Sequence, residues 1–171
     1  MQSRWFIAPF FVFGLACSDL AGPGTVGPAF VAVTVDGKPL TVDDSSGIIT
    51  TAFTPDEVLS IFAGTGLVSD TARALGLQVN QFRGVGTYRL ANMGSSASPA
   101  VGSAYYEVYA HPSIELVSAF QTSSVYTGEV RVTGFDPANH VIAGTFAFTA
   151  VEVEGTRILH VTNGAFRIRV P

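Results

Sequence analysis

The chain has 171 residues, of which 47% are hydrophobic and only 13% charged, with a formal net charge of −4. That much apolar material with so little charge excludes a disordered chain and supports one folded domain. An acidic balance with a single lysine, Lys38, also excludes a nucleic-acid surface and a polybasic membrane patch.

The first segment has the parts of an export signal. Arg4 is the only charge before Cys17, Trp5 to Val12 is almost wholly apolar, and Gly14, Leu15 and Ala16 make a small-residue cleavage zone. The apolar run is too short to cross a bilayer, which takes ~20 residues. Cys17 is the chain's single cysteine, so it has no disulfide partner within the chain. This arrangement resembles the lipobox of bacterial lipoprotein precursors. The resemblance implies that Cys17 is the lipid-attachment residue and the first residue of the mature protein. Stable anchoring needs more than one acyl chain, each buried methylene contributing about 0.8 kcal/mol. Three chains on Cys17 would satisfy that need. The family's sorting logic, with Ser18 after the cysteine, implies an outer-membrane address in the cell envelope. The expected organisation is a signal peptide at residues 1–16, the lipidated cysteine and a Gly/Pro tether at 17–28, and a single β domain at 29–171. As a flexible coil the tether would hold the domain roughly 20 Å from the lipid.

From Phe30 onward the apolar period is two. Val31, Val33 and Val35 alternate with Ala32 and Thr34, and Asp36-Gly37 turns the chain. Asp43-Asp44-Ser45-Ser46-Gly47 reads as a solvated loop and lacks the alternating oxygen ligands of a calcium site. Thr54-Pro55-Asp56-Glu57 fits a capped helix start or a proline turn, and a strand over 58–63 is the favoured reading. Leu75, Leu77 and Val79 share one strand face. Tyr106 and Val108 oppose Tyr105, Glu107 and Tyr109 on another strand. Val130 and Val132 face away from Glu129 and Arg131, and a loop at 135–140 precedes the inward pair Phe146 and Phe148. Glu154-Gly155 is a turn, Ile158 to Thr162 a strand, and Asn163-Gly164 a hairpin signal before Phe166, Ile168 and Val170. Residues 125–170 are therefore expected to form a four-stranded antiparallel meander. The whole is expected to be all-β, a single antiparallel sandwich or small barrel of about nine or ten strands.

Three stretches carry a second resemblance. They are Gly86-Thr87-Tyr88-Arg89-Leu90, Gly128-Glu129-Val130-Arg131-Val132-Thr133, and Gly144-Thr145-Phe146-Ala147-Phe148-Thr149-Ala150 with Thr162-Asn163-Gly164-Ala165-Phe166. With the lipobox they resemble a family of small bacterial lipoproteins of unknown function, commonest in Bacteroidetes. Ala147 and Ala165 stand where that family usually has Ser and Lys. The resemblance implies an address and an architecture, and no activity.

The residues for catalysis are sparse. His111, His140 and His160 have no metal-binding spacing, and the chain has no GxSxG elbow. Gly64-Thr65-Gly66 lacks the lysine of a phosphate loop, and an acylated Cys17 is no nucleophile. No catalytic residue, metal or cofactor is expected. Tyr105 and Tyr109, with Glu107, are expected on the face opposite Tyr106, where tyrosines stack on sugars or anchor a protein partner. Ordinary packing in a two-sided sheet is the plainer reading of the same residues. Glu129, Arg131, Arg157, Arg167 and Arg169 are expected to form cross-strand charge pairs on a solvated face. The expected function is a lipid-anchored envelope module that binds an envelope protein or glycan. A carrier of a small apolar ligand in a barrel cavity and a hydrolase are the alternatives.

Overall fold

Each stretch of alternating residues becomes a strand in the computed structural model, which describes residues 27–53, 57–66, 70–91 and 101–170. The expected signal segment, Cys17 and most of the expected tether lie outside the described residues. The strands are β1 (Phe30–Val35), β2 (Lys38–Asp43), β3 (Gly47–Phe53), β4 (Leu59–Thr65), β5 (Thr71–Val79), β6 (Gly86–Ala91), β7 (Gly102–Ala110), β8 (Glu115–Gln121), β9 (Gly128–Asp136), β10 (Val141–Glu152) and β11 (Ile158–Arg169). No helix occurs among the described residues. The segment after Thr54-Pro55 is thus strand β4, paired with β3 and β5.

The strands join in the order β2-β1-β11-β10-β9-β6-β7-β5-β4-β3. Every pairing is antiparallel except the short parallel contact of β6 with β7 at Leu90 and Ala91. β8 pairs with both β7 and β10, which closes a ring of hydrogen bonds through β9 and β6. The two ends of the path, β2 and β3, are consecutive in the chain. Their connection is fixed by Asp43, whose Oδ1 accepts the Ser45 and Ser46 amides at 2.9 and 2.8 Å. Across the remaining seam Thr51 Oγ1 on β3 donates to the Arg169 carbonyl on β11 at 2.6 Å. The result is a barrel-like sandwich.

The core follows from the period of two, which sends alternate side chains inward. Val31, Val33 and Val35, then Leu75, Leu77 and Val79, then Val130 and Val132 are all buried. Phe146, Phe148 and Phe166 meet in the middle, with ring centroids 6.5 and 6.3 Å from Phe146. Side chains fill this described core, with Tyr106 and Phe120 also buried.

The C-terminal meander differs from expectation in one respect. It has three strands, because Asn163-Gly164 does not reverse the chain. β11 runs straight through the pair, and the register against β1 and β10 shifts there. Asn163 takes a left-handed φ of 54°, the conformation of a bulge as well as of a hairpin turn. Gly164 is needed because a Cβ would sit 2.5 Å from the Phe146 carbonyl oxygen. By contrast Asp36 and Gly37, with φ of 45° and 78°, do make the tight hairpin between β1 and β2.

Candidate functional site

The pairing registers lay out the outer face of β3, β4, β5 and β7 in rows. One row runs Thr50, Phe62, Gly76, Tyr105 across four adjacent strands. The next runs Ala52, Ser60, Gln78, Ser103. All of these but Gly76 line a surface groove of about 400 Å³. Gly76 shapes it. The Tyr105 ring and hydroxyl lie across the Gly76 Cα, in space that any Cβ would occupy. Tyr105 therefore lies down over β5, beside Phe62 on β4 rather than standing out from the sheet.

Two residues further along β7 the same face carries Glu107 and Tyr109. The Tyr109 hydroxyl donates to Glu107 Oε2 at 2.6 Å. That hydrogen bond, burial and the carboxylate's charge push the Tyr109 phenol up to about 12, so it stays a donor. Burial, then the charge of Glu107, raises the Tyr105 phenol as well. Tyr105, Glu107 and Tyr109 are all half-buried on one face, as their alternation with the buried Tyr106 requires. The sequence does not point to Phe62, Ser60 or Gln78. Phe62 is the outward residue between inward Ile61 and Ala63, a signal readable only once β4 is known to be a strand.

The other polar clusters are accounted for locally. Asp43 also accepts the Ser45 hydroxyl, and these bonds hold its carboxyl down at about 2. Asp136 accepts the Ala138 and Asn139 amides within its turn, and its carboxyl is lowered by Asn139. His140, in the same turn, bonds through its carbonyl to the Val170 amide. No group of three potential metal ligands occurs among the described residues. Thr149 Oγ1 and His160 Nδ1 lie 3.3 Å apart on an exposed face, as register partners. Of the expected charge pairs, Arg157 meets Glu152, and Glu129 stands opposite Arg89 in register. Arg131, Arg167 and Arg169 instead face uncharged register partners: Arg131 faces Thr87 and Thr145, Arg167 faces Phe30 and Ala143, and Arg169 faces Val141.

Fold and groove define the class: an all-β, barrel-like domain with an aromatic groove on its outer face. Within that class the chain belongs to the family described as a domain of unknown function, DUF6252, whose profile matches residues 40–171. The matched stretch begins inside β2 and contains every groove residue. No curated protein and no solved structure shows a significant match to the chain.

Proposed function

We propose that the protein is a lipid-anchored, non-enzymatic module of the cell envelope that binds carbohydrate in the groove of β3, β4, β5 and β7. The observation that carries the reading is the Tyr105 ring laid over Gly76 beside Phe62, edged by Ser60, Gln78 and Ser103. A sugar ring has one chemistry on its faces and another at its edge. Its axial C–H bonds suit the negative face of an aromatic ring, and its hydroxyls need neutral donors and acceptors around them. The groove offers both, and its volume of about 400 Å³ is in the range of small-ligand sites. Among the described residues no lysine or arginine lines it, which argues against an anionic ligand there. The described buried residues pack into one hydrophobic cluster, which weighs against a large central cavity for an apolar ligand. The anchor rests on Cys17 and the export signal before it, and the outer-membrane address on Ser18.

Electrophoresis through native gels cast with soluble envelope polysaccharides tests the reading. Retardation of the protein, lost in Tyr105→Ala, is the expected result. Equal mobility with and without every polysaccharide tried, or equal retardation of the variant, contradicts it.

A further inference from the structure

A second cleft opens on the inner side of β7, away from the groove. It lies at the end of the barrel where the β1–β2 hairpin, the start of β5, the middle of β8 and the start of β11 converge. Its volume is about 270 Å³. The walls are apolar, from Val35, Leu40, Val108, Phe120 and Leu159. The rim is cationic. Lys38, Arg73 and Arg157 all reach it, on a protein whose overall charge is −4.

Several of the rim groups are already engaged. Arg157 lies over the Phe120 ring, 5.3 Å from its centroid, and pairs with Glu152. Asp36 Oδ1 accepts the His160 amide at 2.8 Å. Lys38 and Arg73 form no ion pair with any described residue. Tyr106 is the most telling group. It is only 4% exposed, yet its hydroxyl has no hydrogen-bond partner among the described residues. Its phenol lies within the electrostatic reach of Arg73 and Asp36 at the cleft. No buried side-chain nitrogen or oxygen among the described residues lacks a partner, so this hydroxyl reaches solvent at the foot of the cleft, where it is free to donate to a ligand acceptor.

We propose that this cleft binds a small amphiphilic anion: a carboxylate on a short apolar body. The carboxylate accepts from the Tyr106 hydroxyl and the Arg73 guanidinium, with Lys38 adding charge. The body lies against Phe120, Leu159 and Val35. The cleft holds the volume of about nine waters, which suits a ligand of roughly eight non-hydrogen atoms.

Methyl NMR titration of the full chain tests this with hexanoate, 1-hexanol and hexylammonium as probes. Hexanoate is expected to shift the Val35, Leu40 and Leu159 methyls saturably, and to bind about ten-fold or more tighter than 1-hexanol. Charged hydrogen bonds are the stronger kind, so Arg73→Gln is expected to weaken hexanoate by about ten-fold or more. Tyr106→Phe keeps the ring in the core and is expected to weaken it by about two- to ten-fold. A thermal melt of each variant checks the fold. The proposal is overturned if hexanoate gives no saturable shift at those methyls, if 1-hexanol binds as tightly, or if Arg73→Gln leaves the affinity unchanged in a folded protein. Hexanoate shifts confined to the outer groove overturn it too.

Discussion

The position of Tyr105 depends on the absence of a side chain at Gly76, and Gly76→Ala tests that dependence. The new methyl would enter the space of the Tyr105 ring and hydroxyl. These are the far end of a rotatable side chain, so the ring can swing off the sheet and the backbone need not move. The cost is then the ring's lost packing. Fully burying a large apolar side chain contributes about 1.5–3 kcal/mol, and Tyr105 is half-buried, so the expected loss is about 1 kcal/mol. Tyr105→Ala removes the same packing and should cost about as much. The double variant should therefore cost about 1 kcal/mol rather than the sum, with a coupling of about the same size. Urea denaturation of the four proteins measures it. A Gly76→Ala penalty that is the same with tyrosine or alanine at position 105 would refute the reasoning.

Other expectations follow from particular contacts. Gly164→Ala should cost about 1–3 kcal/mol, because its methyl meets a β10 carbonyl and the buried Phe146 ring, neither of which can swing away; thermal unfolding checks this. Asp43 gives a pH dependence whose sign is fixed by its lowered pKa. Its contribution to stability is complete above the ordinary value of 3.8 and is lost as the pH falls towards about 2. The difference in urea midpoint between the protein and Asp43→Ala should accordingly be constant near neutrality and shrink steadily as the pH falls from 3.8 through about 2. Cys17→Ser should abolish acylation and release the protein from membranes, and mass spectrometry of the native N-terminus with membrane fractionation reads both. A native N-terminus other than acylated Cys17 contradicts the anchor.

Much of the sheet is legible from alternation alone. Val31, Val33 and Val35, and likewise Leu75, Leu77 and Val79, cannot face water on one side of a strand without being core, and they are buried. The same logic places Tyr105, Glu107 and Tyr109 together once Tyr106 is inward. Alternation fails where one local conformation serves two structures. Asn163 with a positive φ fits a hairpin turn and a bulge equally, and only the continued pairing of β11 with β1 and β10 decides for the bulge. Phe62 was illegible for a related reason. The run Val58-Leu59-Ser60-Ile61-Phe62 suits a helix as well as a strand, and its outward face exists only in the strand. The cationic cleft has no local pattern at all. Lys38, Arg73 and Arg157 lie far apart in the chain, and only the strand order brings them to one rim.

The central claim is that the β3–β4–β5–β7 groove is where this domain meets a sugar chain. An amide NMR titration of the protein with an oligosaccharide from a retarding polysaccharide tests it directly. Saturable shifts are expected to cluster at Phe62, Gly76, Gln78 and Tyr105, and to be lost in Tyr105→Ala. Shifts clustered instead on β9, β10 and β11, at Arg131, Thr145 and His160, or no saturable shifts at all, would contradict it.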